Sequence, residues 1–103
     1  MFARLTFFNV LPKDVDDLKK VYHDEVVPVI KKQRGNMGAW LLEPSNEIDD
    51  YISLTEWVTK ADADAYESSG TYKALVDKVK HRFNGNPVLK TYSALDSKIM
   101  MTA

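Results

Sequence analysis

The segment from Tyr51 to Tyr72 constrains the fold more than any other part of the chain. Residues 51–57 (Tyr-Ile-Ser-Leu-Thr-Glu-Trp) are rich in β-branched and aromatic side chains and contain no Gly or Pro, which suits a pleated strand. Alternation puts Tyr51, Ser53, Thr55 and Trp57 on one face and Ile52, Leu54 and Glu56 on the other. Neither face is plainly polar, so both are expected to be covered. Thr59 followed three residues later by Asp62 predicts a helix start, with the hydroxyl satisfying a free backbone N–H and the acid near the positive end of the helix. Ser68-Ser69-Gly70-Thr71 then competes with the helical ladder, so the helix is expected to break and restart. From Tyr72 onward, Leu75, Val76, Val79 and Phe83 recur at helical spacing and form one apolar stripe.

The remaining elements follow from similar signals. Residues 2 to 11 read as a first strand ended by Pro12, with Arg4, Thr6, Phe8 and Val10 on one face and Ala3, Leu5, Phe7 and Asn9 on the other. Asp14 is expected to cap a helix with the stripe Val15, Leu18, Val21, Tyr22, Val26, Val29 and Ile30, acidic at its start and basic at its end. Pro28 removes a donor inside that helix and predicts a kink; Gly35 predicts a left-handed C-cap. Gly38 to Glu43 reads as a second strand, and 44–49 as a polar loop returning in a hairpin. Asn84-Gly85-Asn86-Pro87 stops the last helix, Val88 to Leu95 forms a fourth strand, and 95–103 is a C-terminal tail of the single domain 1–103. The order β-α-β-β-α-β, with the second helix split, is the ferredoxin-like α+β plan: a four-stranded antiparallel sheet with helices on one face.

That plan predicts an assembly. Helices cover only one face of such a sheet, yet these strands are apolar or aromatic on both, and monomers rarely leave so large an apolar patch in water. A twofold homodimer with two sheets packed face to face is the economical solution. Cover by loops and the C-terminal tail is the alternative.

Charge and composition exclude several classes. The 15 acidic and 14 basic residues nearly cancel, with no block of five like charges, so neither a nucleic-acid footprint nor a membrane-surface patch is expected. With no cysteine there is no disulfide, thiolate metal site or Cys nucleophile, and two isolated histidines with scattered acids give no metal ligand set. Arg4 and Asn9 interrupt the N-terminal apolar run, and no stretch approaches the ~20 apolar residues of a membrane span, so a cytoplasmic location is expected. No phosphate-cradling Gly-rich loop, nucleophile elbow or Ser/His/Asp arrangement stands out.

Glu56-Trp57, followed by Asp64-Ala65-Tyr66-Glu67-Ser68-Ser69-Gly70-Thr71-Tyr72-Lys73-Ala74-Leu75, resembles the segment that marks the antibiotic biosynthesis monooxygenase family of dimeric α/β barrels. The Val27-Pro28 kink and the Gly38-centred strand look similar too. The resemblance implies a homodimer with a small-molecule pocket between each sheet and its helices. Relatives include cofactor-independent oxygenases of polyketide-like aromatics, haem degraders, and proteins acting on quinone-like or signalling molecules. At Tyr66 and Thr71 relatives often carry His. The haem-degrading branch uses an Asn on the first strand, a Trp in the split helix and an axial His on the last helix. Tyr66 stands where that Trp would be and Val76 where the His would be, which counts against haem degradation. The expected function is therefore a cofactor-independent monooxygenase acting on a small aromatic, quinol or enolisable carbonyl compound. The alternative is a dimer of the same fold that binds such a ligand without turnover.

Oxygenation of that kind needs a dry apolar pocket, a base, and donors for the developing anion. His23 lies beside Tyr22 near the core stripe and is the candidate base; His81 points away from the Leu75–Val79 stripe and is expected in solvent. Asn9 is the candidate catalytic donor if its face of the first strand looks into the pocket. If the other face does, Arg4 and Thr6 are the polar substrate-binding residues, and alternation makes the two sets exclusive. Trp57, Trp40, Tyr66 and Tyr72 are core or pocket walls. Trp57, Tyr66 and Tyr72 are candidate substrate contacts. Tyr66 is foremost, because the helix break beside it can open a cavity and its hydroxyl needs a partner.

Overall fold

The structure, a computed structural model, describes residues 1–95. The expected tail from residue 96 onward lies outside the described residues. Four strands, β1 (Phe2–Phe8), β2 (Asn36–Leu42), β3 (Tyr51–Trp57) and β4 (Val88–Ser93), form one sheet in the order β2-β3-β1-β4. All neighbours are antiparallel, so β1 and β2 run parallel with β3 between them, and a helical connection is needed to join them. The helical layer comprises α1 (Val15–Val21), a π-helical turn (Tyr22–Val26), α2 (Val27–Lys31), α3 (Lys60–Glu67) and α4 (Gly70–Val79). This is the ferredoxin-like α+β plan.

Most local signals act as expected. The Thr59 hydroxyl accepts the Asp62 N–H at 3.1 Å and opens α3. Ser69 opens α4 in the same way, accepting from the Tyr72 N–H at 3.2 Å, so the helix divides at Ser68 and Ser69. Gly35 has φ +78°, the left-handed geometry that closes α2, and its carbonyl accepts the Val58 N–H at 2.8 Å. A Cβ here would also run into the Asp62 side chain. Gly35→Ala is therefore expected to cost about 1–3 kcal/mol, measured as a shift of the urea midpoint at unchanged slope.

Three local expectations are corrected. Asp14 does not cap α1 through its side chain; it closes a short 3-10 turn over Pro12–Asp14, its N–H bonded to the Leu11 carbonyl at 2.9 Å. The first strand ends at Phe8 rather than Leu11, because the Asn9 carbonyl is taken by the Asn84 N–H at 2.8 Å beyond α4. Pro28 produces a widened turn: the Val27 N–H reaches back five residues to the Tyr22 carbonyl, so the ladder expands just before the residue that cannot donate.

Register decides which strand faces meet the helices. Arg4 pairs with Thr55 and Thr6 with Ser53, and this face packs on Leu18, Tyr22, Val26, Ile30, Ala63, Tyr66, Leu75 and Val79. The opposite face carries rows running across the sheet: Leu42, Ile52, Phe7 and Val88 in one, Trp40, Leu54, Leu5 and Lys90 in the next. Trp40 and Leu42 are 44% and 40% exposed there, and Val88 and Tyr92 each 53%. No helix of the described residues is long and apolar enough to cross a membrane.

Candidate functional site

A cavity of about 110 Å³ lies between the helix-facing side of the sheet and the helices. The sheet contributes Thr6, Phe8 and Ser53; the first helical segment contributes Tyr22, Val26 and Ile30; the split helix contributes Tyr66, Tyr72, Leu75, Val76 and Val79. The π turn matters here, because Tyr22 and Val26 bound it and both look into the space. Among the described residues no charged side chain lines the cavity, so its chemistry rests on hydroxyl groups in apolar walls.

Those hydroxyls divide into two sets. Tyr22 and Ser53 are hydrogen-bonded to each other across 31 residues of sequence. The Tyr66 hydroxyl makes no hydrogen bond to a described residue, although the side chain is only 6% exposed. Trp57 stacks on the Tyr66 ring at 5.0 Å from behind and its Nε1 donates to Thr55 at 2.9 Å; Tyr72 meets Tyr66 edge-on at 5.3 Å. Ser69 ties both tyrosines to the helix break. Its hydroxyl donates to the Tyr66 carbonyl at 2.6 Å while accepting the Tyr72 N–H.

Burial keeps these phenols protonated. It pushes Tyr66 well above the ordinary tyrosine value, with the nearby Tyr22 and Tyr72 phenols adding and the Arg4 charge opposing. Burial raises Tyr22 as well, against the Ser53 hydrogen bond. A raised folded-state value means that the unfolded chain loses its protons first as the solution becomes alkaline. The tyrosine contribution to stability is therefore intact below about pH 10 and is lost as pH rises above it. Melting curves between pH 8 and 11 should show a steeper alkaline fall for the native chain than for Tyr66→Phe.

Arg4 sits beside this constellation, 4% exposed, with its guanidinium 5.0 Å from the Tyr72 ring and 6.0 Å from the Tyr66 ring. Its ion pair with Glu67 spans 3.4 Å. Among the expected site residues, the structure brings Thr6, Tyr66 and Tyr72 to the cavity and places Arg4 and Trp57 immediately behind the tyrosines. It does not bring His23 or Asn9. His23 is exposed, because the π turn buries its neighbours Tyr22 and Val26 and leaves residues 23–25 outward. The Asn9 side chain accepts from Asn84 at 2.9 Å, off the cavity. From sequence Tyr22 was placed in the core stripe of its helix and Ser53 on one of two faces of its strand that were both expected to be covered, and neither was placed in the site. The signal available was that the polar face of one strand (Arg4, Thr6) matches that of another (Ser53, Thr55), which becomes informative only once the register is known. Among the described residues, no group of three or more His, Asp or Glu is placed to hold a metal ion.

The model of a family described as antibiotic biosynthesis monooxygenase matches residues 1–78. A candidate antibiotic biosynthesis monooxygenase from Nitrosomonas europaea has the same fold, with TM-score 0.79 and 17% identity over 93% of this chain and 100% of that one. Rv0793 from Mycobacterium tuberculosis gives TM-score 0.77 and 14% identity over 93% and 96%. A MhuD mutant with two manganese protoporphyrin IX bound per active site gives TM-score 0.78 and 17% identity over 97% and 100%. At such identities the likeness to these structures is one of fold. No curated protein matches.

Proposed function

The chain belongs to the antibiotic biosynthesis monooxygenase family, and from that premise we propose that it is a cofactor-independent monooxygenase oxidising a small aromatic, quinol or enolisable carbonyl compound in the cavity between sheet and helices. The observation that carries this reading is the Tyr66 hydroxyl: neutral, unpaired among the described residues and set in an apolar wall beside the Tyr22–Ser53 pair. Such donors stabilise an oxyanion that develops on a bound substrate and cost no reorganisation as it forms. Among the described residues the cavity walls offer no carboxylate or imidazole as a base. The substrate therefore needs an acidic hydrogen of its own, with its ionisation favoured by the phenol donors and the nearby Arg4 charge. In a substrate with an acidic CH₂, such as an anthrone or 1,3-diketone, that proton passes to water, and the resulting carbanion is electron-rich enough to reduce dioxygen: the CH₂ becomes C=O, one oxygen atom stays in the product and the other leaves as water.

The donor set argues against haem chemistry. Val76 stands in the cavity wall, no imidazole or thiolate of a described residue joins it, and a phenol held protonated as Tyr66 is makes a poor axial ligand. The absence of a base among the lining residues favours one second reading, a dimer that binds such a ligand without turning it over. In either case we propose that the apolar outer face of the sheet packs against that of a second copy about a twofold axis.

Thermal-shift screening of anthrones, quinols and 1,3-diketones, followed by oxygen uptake with each compound that binds, separates the two readings. Under the enzyme reading, a binding compound consumes oxygen and Tyr66→Phe lowers kcat/KM on the order of 10²-fold, the cost of removing one oxyanion donor. Binding with no uptake supports the non-catalytic dimer, and uptake untouched by Tyr66→Phe overturns the assignment of that hydroxyl.

A further inference from the structure

We infer that a second copy docks on the outer face of the sheet in one orientation, fixed by two reciprocal ion pairs, Glu56 of each chain against Lys90 of the other; this rests on the proposed dimer and specifies it. Among the described residues that the strands direct to this face, only Glu56 and Lys90 are charged, and their signs are opposite. They cannot meet within one copy. β1 lies between their strands; Glu56 shares a row with Ala3 and Tyr92, while Lys90 sits one row away opposite Leu5. With strands about 4.8 Å apart and alternate residues about 6.6 Å apart along a strand, their Cα atoms are about 12 Å from each other. The Lys90 ammonium also leans away from Glu56, over the Phe7 ring at 5.3 Å. Neither side chain forms a salt bridge with a described residue. The face therefore holds one acid and one base, each in need of a partner from outside the chain.

Symmetry makes a copy of the same chain fit that need. A twofold axis lying between two facing sheets sets each residue opposite the one found by reflecting its position across the axis line. On a flat lattice of the same spacings, Glu56 and Lys90 each lie about 7 Å from the centre of the face, which falls between Leu54 and Leu5. Because the two distances match, one axis through that centre exchanges the two residues. Both charges are then paired in both copies. The same axis sets the position of Trp40 over the partner subunit's Phe7 and that of Leu54 over the partner subunit's Leu5, so apolar side chains also meet apolar ones. An axis turned elsewhere through the centre sets Glu56 over an apolar residue or over the partner subunit's Glu56, which buries a charge without a counter-ion. Charge thus selects one orientation from a face whose apolar surface alone would accept several.

The test is sedimentation of the full chain, of Glu56→Lys, of Lys90→Glu, of the double reversal and of an equimolar mixture of the two single variants. Each single reversal faces like charges twice in every dimer and is expected to weaken association at least about tenfold. The double reversal should return Kd to within about threefold of the native value. The mixture should associate more tightly than either variant alone, because Glu56→Lys offers two ammonium groups and Lys90→Glu two carboxylates, which pair only between unlike copies. A change in the folding of one chain cannot produce that result. Single variants that associate like the native chain, or a mixture no tighter than its components, overturn the charge pairing and leave the dimer standing. A native chain that sediments as a monomer overturns both.

Discussion

Trp57→Ala is expected to destabilise the fold by about 3–5 kcal/mol, the usual cost of emptying a fully buried indole site. Trp57 is completely buried at the end of β3 and supports three features at once. It pairs with Phe2 across β1 and with Asn36 across β2, its ring backs Tyr66, and its Nε1 is the hydrogen-bond donor to the buried Thr55 hydroxyl. Alanine removes the stack and orphans Thr55, so relaxation cannot recover much of the loss. With a total stability of about 5–15 kcal/mol for a domain of this kind, the variant should melt on the order of 20 °C lower. Trp57→Phe keeps a ring behind Tyr66 and loses only the N–H, and it should cost about 1–2 kcal/mol. Chemical denaturation of the three proteins measures both values. A loss below about 1.5 kcal/mol for alanine would mean that the Trp57–Tyr66 stack does not anchor the split helix to the sheet.

Leu54→Lys should leave the fold intact and abolish self-association. Leu54 lies at the centre of the outer face, opposite Leu5 on one side and Trp40 on the other, and its replacement changes nothing on the helical side. In a face-to-face dimer it would bury an unpaired ammonium in each copy, at a cost of about 3–5 kcal/mol, more than a hundredfold in Kd. Sedimentation at micromolar concentration should give a dimer for the native chain and a monomer for the variant, with matching far-ultraviolet circular dichroism. A native chain that sediments as a monomer would contradict the proposed assembly.

The parts of this architecture that were legible in the sequence are those governed by local chemistry. Thr59, Ser69 and Gly35 act through backbone groups a few residues away, so their roles follow from residue type and spacing. The bounds of β3 follow from its composition. What was not legible depends on contacts distant in sequence or on a choice between similar faces. β1 is bulky on both sides, and the choice of Arg4 and Thr6 over Asn9 as the helix-facing set was fixed only by its pairing with β3. The Tyr22–Ser53 pair joins residues far apart in the chain. His23 looked like a core neighbour because it adjoins Tyr22 and regular helical spacing was carried up to the kink expected at Pro28, whereas the widened turn over Tyr22–Val26 leaves it outward. Resemblance carried the family, but it could not indicate that the described cavity walls hold phenols and no carboxylate or imidazole.

The account as a whole turns on where a small aromatic molecule binds, and methyl-resolved NMR during titration with 2-naphthol reads that directly. Shifts are predicted at Val26, Ile30, Leu75, Val76 and Val79, which bound the cavity, with Leu5, Leu42, Ile52 and Leu54 on the outer face unmoved. Shifts confined to the outer-face methyls, or none at saturating ligand, would contradict it.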